Sequence, residues 1–190
     1  MFKKQKNTFF NLRVFKLIFL TQLFIALPFF DYHKNANAGL EFQWDNNPNY
    51  KQLKWFQKNE TRRARNTIFF FLRPFDRNNE LLKINMILPK KFDSKLKKEK
   101  IILCKVRIGG FESRTKCIEN IPADVVINKE ENTIDIFPYA KIPRNKDSYA
   151  VVMKIFNPKK FGLYQFHSYG QPAGETPSLS YLGSWTIRID

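Results

Sequence analysis

The sequence predicts an all-β fold, a two-layer antiparallel β-sandwich of the immunoglobulin-like kind, and three observations carry that expectation. From Thr67 onward, short runs rich in β-branched and aromatic residues are broken roughly every 8 to 12 residues by Pro, Gly or Asn/Asp clusters. No long stretch repeats with a helical period. Several runs alternate apolar and polar residues, the spacing of a half-buried strand, and two cysteines bracket one hairpin.

Taken in order, residues 1–38 read as a signal peptide. Lys3, Lys4, Lys6, Arg13 and Lys16 give a basic start, residues 17–30 an apolar middle, and Ala36-Asn37-Ala38 a small-residue exit before Gly39. The apolar middle is interrupted by Thr21, Gln22 and Pro28 and falls short of the roughly 20 residues that span a bilayer. The expectation is therefore cleavage and a secreted chain with no transmembrane segment in its mature form. Residues 39–190 make a single domain, large enough to bury roughly 70% of its unfolded surface.

Residues 44–49 are polar and turn-rich, and residues 50–66 are basic with a periodicity that leaves helix or loop open. Residues 68–73 are almost continuously apolar and end at Pro74, which fits a strand covered on both faces. Leu82, Ile84, Met86 and Leu88 alternate with Lys83, Asn85 and Ile87 as a half-buried strand. Residues 90–100 are a lysine-rich connector. Residues 125–128 and 133–137 form a hairpin across Lys129-Glu130-Glu131-Asn132, with Ile134 and Ile136 pointing inward. Residues 149–156 are apolar on both sides and belong at the centre of a sheet. Tyr164 and Phe166, then Trp185, Ile187 and Ile189, supply two further strands separated by a loop at residues 170–177, for eight or nine strands in all. Trp185 reads as a core residue.

The cysteines lie in the remaining hairpin. Ile102, Cys104, Val106 and Ile108 alternate with Leu103, Lys105 and Arg107 up to Gly109-Gly110, and the chain returns from Ser113 to Ile118. With only two cysteines in an exported chain, Cys104 and Cys117 should be joined. If Gly110-Phe111 are the loop residues of a II′ turn, Cys104 faces Cys117 as a non-hydrogen-bonded pair with Cα atoms about 4.5 Å apart. The bridge would then contribute on the order of 3 kcal/mol. The same register sets Lys105 opposite Lys116 and Arg107 opposite Arg114, on the face from which Cys104 and Val106 point away. Like charges facing one another destabilise a sheet, so these four are the candidate anion-binding residues, suited to carboxylate, sulfate or phosphate. The bland alternative is a solvated outer face.

The whole chain carries +16 at pH 7, and losing the leader's six cations and one anion leaves +11. An A/T-rich genome would favour the same Lys, Asn, Phe and Ile codons, so only the local arrangement of charge carries an argument. An exported chain rarely meets nucleic acid, which leaves an acidic protein, an acidic polysaccharide or lipid headgroups as anionic partners. Beyond residue 38 there is one histidine, His167, expected to be exposed, so a Cys/His zinc site has no ligands and Ser-His chemistry would rest on that imidazole alone. No G-x-S-x-G elbow, phosphate loop, H-E-x-x-H or EF-hand spacing is present. The expectation is no metal, no cofactor, no catalytic residue and no enzyme.

Four segments resemble one family: Phe71-Leu72-Arg73-Pro74, the cysteine hairpin with Ser113-Arg114-Thr115-Lys116-Cys117, residues 149–158 with their Phe-Asn-Pro ending, and Tyr181-Leu182-Gly183-Ser184-Trp185. The chain is similar to the cyanobacterial domain-of-unknown-function family numbered two thousand eight hundred and eight. That resemblance implies an exported single-domain protein of a photosynthetic bacterium, placed in the periplasm and cell envelope or in the thylakoid lumen, and brings no catalytic residues. The functional expectation is a non-catalytic protein docking on an anionic partner through the cysteine hairpin. One alternative is an envelope polysaccharide hydrolase, whose mark would be a cleft with two carboxylates roughly 5 to 10 Å apart. Another is an assembly or folding accessory that uses an open sheet edge, with residues 68–72 as the strand to inspect.

Overall fold

The apolar run at residues 68–72 needs cover on two sides, and the architecture supplies it. A computed structural model describes residues 51–174 and 178–190. The expected signal peptide, residues 44–49 and part of the loop at residues 170–177 lie outside the described residues. Ten strands form two antiparallel five-stranded sheets, the two layers of the expected sandwich. In chain order they are β1 (Trp55–Gln57), β2 (Arg65–Leu72), β3 (Leu81–Ile87), β4 (Ile101–Arg107), β5 (Lys116–Ile121), β6 (Ala123–Asn128), β7 (Thr133–Pro138), β8 (Tyr149–Phe156), β9 (Gly162–Pro172) and β10 (Ser180–Ile189). One sheet has the order β1-β2-β8-β4-β5, the other β10-β9-β3-β7-β6. As expected, β8 is central. Residues 50–66, left open between helix and loop, contain the short strand β1.

Alternation along the strands builds the core between the sheets. Ile68, Phe70 and Leu72 of β2 and Val151 and Met153 of β8 face Ile84, Met86, Ile134, Ile136, Phe166 and Trp185 of the other sheet. The Phe70 ring lies 5.0 Å from that of Phe166 and 5.1 Å from that of Trp185. Trp185 also donates its indole N–H to the Phe71 carbonyl at 3.1 Å, so one fully buried side chain both fills the core and ties the layers. Leu-Gly-Ser-Trp has a steric logic as well: Gly183 has φ +139, and a Cβ there would meet the Lys51 carbonyl at 2.6 Å.

The alternate residues of the first sheet make a second apolar cluster on its outward face. Phe69, Phe71, Cys104, Val106, Ala150 and Val152 are buried there, with Ile102, Ile108 and Cys117 packed against them. This is why β2 and β8 read as nearly unbroken apolar runs. Polar groups close the lower end. The buried Asn66 side chain donates to Asn157 Oδ1 at 2.9 Å and accepts from the backbone N–H of Lys58 and Asn59, while Asn157 Nδ2 donates to the carbonyls of Asn59 and Thr61.

Three expectations are corrected. Residues 68–72 are not an open edge, because β2 lies between β1 and β8 and pairs with both. Leu82 is exposed rather than inward, because the register of β3 against β9 shifts between Leu81 and Lys83 and passes the inward place to Leu81. The lysine-rich connector is also more than a connector: Phe92 stacks edge-on at 5.5 Å from Tyr164 and 5.0 Å from Phe166, closing that flank of the core.

Candidate functional site

Hairpin β4–β5 carries the sulfur bridge and all four candidate cations. Cys104 and Cys117 are joined, with Cα atoms 5.7 Å apart rather than about 4.5 Å. The larger separation follows from a different register. Leu103 faces Ile121 and Lys105 faces Glu119, but Val106 faces Cys117, so Ile118 is an extra residue bulged out of β5 and the bridge runs diagonally across the bulge. The turn differs too. A II′ turn needs positive φ at its first central residue, and among the described residues Gly110 is not one of the glycines with positive φ. Instead the tip opens from residue 108 to residue 115, with Gly110 N–H donating to the Ser113 carbonyl at 3.0 Å and Gly109 N–H to Thr115 Oγ1 at 2.9 Å. A Cβ on Gly109 would meet Thr115 N at 2.6 Å and Ser113 O at 2.8 Å, so any other residue there would push the closing backbone apart.

The expected facing pairs are therefore corrected: Lys105 does not oppose Lys116, nor Arg107 Arg114. Lys105 opposes Glu119, and its ammonium lies 2.7 Å from Asp147 Oδ2. The hydrogen bond that Lys105 donates to Asp147, aided by the charges of Asp147 and Glu119, raises the pKa of Lys105 from its ordinary value. An unperturbed lysine loses its proton only in alkali, so the raised pKa keeps this ammonium charged at neutral pH. Arg107 opposes Lys116, and Arg114 sits in the tip beyond the strands. All three are exposed, and among the described residues no carboxylate pairs with any of them. Three of the four candidates thus gather at the outer end of the ribbon, and the fourth turns into a cleft.

That cleft, of about 330 Å³, lies between β4–β5 and the loop before β8. Lys105, Glu119, Ile121, Lys141, Asp147 and Tyr149 are among its walls. Arg77 pins the loop from behind. It is fully buried, donates to the carbonyls of Pro143 at 2.6 Å and Asp147 at 2.7 Å, and lies 4.6 Å over the Tyr149 ring. Burial lowers its pKa from the usual value, and Tyr149, Asp76 and Asp147 offset part of that. Two carboxylates, Glu119 and Asp147, line the cleft, but Asp147 is already held by Lys105 and by Asn145 Nδ2 at 2.9 Å.

His167 is half-buried and bonded, not exposed: its Nδ1 lies 2.8 Å from Ser184 Oγ, and the Tyr181 hydroxyl lies 2.6 Å from the same oxygen. A serine nucleophile must be open to its substrate. Ser184 is fully buried, so the three side chains clamp β9 to β10 rather than form an acyl-transfer site. Among the described residues, no three His, Cys, Asp or Glu side chains converge as metal ligands, and no helix is long and apolar enough to cross a membrane.

Over residues 42–189 the chain matches the family described as "Protein of unknown function (DUF2808)", and it belongs to that family. No curated protein matches it. Among solved structures it is similar to the collagen-binding domain of a Staphylococcus aureus adhesin, at 12% identity and a TM-score of 0.39, covering 71% of this chain and 95% of that one. It is also similar to BslA, a bacterial hydrophobin, at 16% identity and a TM-score of 0.44, covering 73% and 97%. A third is ACE19, the collagen binding subdomain of the Enterococcus faecalis surface protein ACE, at 8% identity and a TM-score of 0.37, covering 70% and 95%. At these scores none of the likenesses bears on what this chain binds.

Proposed function

We propose that this member of the DUF2808 family is an exported, non-catalytic docking protein that engages an anionic partner through the tip of its stapled hairpin. The observation that carries the reading is the gathering of Arg107, Arg114 and Lys116, exposed and without a described carboxylate partner, on a ribbon fixed by the Cys104–Cys117 bridge. Holding three like charges together opposes folding, and a rigid ribbon lowers the ordering cost of binding. Lys105, neutralised by Asp147, is set aside as a wall of the cleft. Export is supported by the disulfide, since such bonds persist in oxidising compartments such as the periplasm or a thylakoid lumen.

The test is retention of the exported chain on anionic and neutral supports over a salt series. At about 0.1 M salt the screening length is roughly 10 Å, so a contact of this kind should weaken steeply above that concentration. We expect the wild type to be held by the anionic support alone, and R107Q/R114Q/K116Q to elute at much lower salt. Equal elution of the two proteins, or retention on neither support, would remove the site. The cleft keeps a hydrolase as the second reading, because Glu119 and Asp147 both line it. Release of sugar from envelope polysaccharide that E119Q abolishes would favour that reading instead.

A further inference from the structure

The same tip carries a phenylalanine that the charge argument does not use. Phe111 is fully exposed (111%), at the crest between Gly109-Gly110 and Ser113. Among the described residues the other exposed phenylalanines each have a companion. Phe75 lies under Arg73 at 4.1 Å, Phe137 under Lys83 at 5.0 Å, Phe156 under Arg65 at 5.7 Å and Phe161 under Arg62 at 5.9 Å, while Phe56 rests 6.0 Å from Phe69. Among the described residues Phe111 has no ring or cation against it, although Arg107, Arg114 and Lys116 are its neighbours on the hairpin. An aromatic ring with no partner, raised beyond a group of cations, is the arrangement that enters a headgroup layer: the ring passes to the acyl boundary and the cations stay with the phosphates.

Resting on the docking reading above, we infer that the anionic partner is a lipid surface and that Phe111 is the side chain that inserts into it. A fluid headgroup layer accepts a projecting ring without a preformed pocket, which an acidic protein would have to supply. A polysaccharide would be gripped by a broad aromatic platform, and the tip offers one ring. Glu112, also exposed at the tip, opposes the three cations and limits the attraction, so the expected binding is reversible and salt-sensitive.

The experiment is co-sedimentation of the exported full chain with vesicles of phosphatidylcholine alone, with vesicles also containing phosphatidylglycerol, and with sulfated polysaccharide beads, each with and without excess inorganic phosphate. Wild type should pellet with the phosphatidylglycerol vesicles only. F111S should lose roughly tenfold in partitioning, the scale of exposing one buried Phe ring, while each of R107Q, R114Q and K116Q should cost roughly fivefold. F111W should keep partitioning, and its fluorescence should be quenched by brominated acyl chains more than that of the wild type. If F111S pellets as the wild type does, the ring does not insert and this inference fails, while docking by charge survives. Binding to the beads without binding to vesicles overturns the lipid assignment alone. Failure on every anionic probe overturns both.

Discussion

Hairpins β4–β5 and β6–β7 sit in different sheets and solve the same problem in opposite ways. In β6–β7 six facing pairs run without interruption from Ala123↔Pro138 to Asn128↔Thr133. Its loop is self-sufficient: the Asn128 carboxamide oxygen accepts the N–H groups of Glu130 at 3.0 Å and Glu131 at 3.2 Å, and Asn132 takes φ +54, a conformation asparagine tolerates. The charges at that tip are mixed. In β4–β5 the ladder is broken by a bulge, the turn is wide, the tip is basic, and a covalent bond holds what the turn does not. Where burial and turn chemistry agree, no staple is needed. Where charge, an exposed ring and a bulge are collected in one place, it is.

Substitutions in the two ribbons should separate these modes of support. The largest effect is expected in the unstapled hairpin, because its anchor is the fully buried Ile136: Ile136→Ala should cost about 4 kcal/mol in urea unfolding, and a loss under 1 kcal/mol would mean that the two layers are not locked by this strand. Next comes the bridge. Replacing Cys104 and Cys117 together by serine should cost about 3 kcal/mol and raise amide exchange across β4–β5 while leaving that of β6–β7 unchanged, whereas uniform loosening of both ribbons would show that the staple supports the whole domain. The smallest is Gly109→Ala, where Thr115 and Ser113 backbone atoms must move aside, at about 1–2 kcal/mol. No change in unfolding midpoint there would mean that the tip does not close as tightly as the glycine contacts require.

The contrast also marks what could be read from residues. Ile134 and Ile136, alternating with Thr133 and Asp135 behind a four-residue polar loop, leave one possible register, and the inward pair follows from period alone. The sulfur pairing was legible because there are two cysteines and no third. The register around them was not: Gly109-Gly110 reads as a tight turn, and Ile118 carries none of the glycine or proline signals by which a bulge announces itself. Once the register moves, the partner of Lys105 changes from a cation to an acid, and Asp147 arrives from a loop that no local pattern connects to β4. Phe92 was hidden in a run of lysines, where charge outweighs one ring in any window of the sequence. Phe111 was visible as a letter but not as an exposed ring, because exposure depends on which other phenylalanines find companions.

The two-sided greasiness of β2 has one more consequence. In most sandwich strands a one-residue slip against the neighbour is forbidden because it would turn the apolar set out to water. In β2 such a slip exchanges Ile68, Phe70 and Leu72 for Phe69 and Phe71, one oily row for another, so greasy contact alone cannot tell the right alignment from the wrong one. The choice falls to Asn66 locked onto Asn157 and to the Trp185 indole seated on the Phe71 carbonyl. These three side chains thus act as the detent of a sliding joint, and trimming the asparagines would leave both oily rows of β2 in place with only the indole to hold the strand at its resting position.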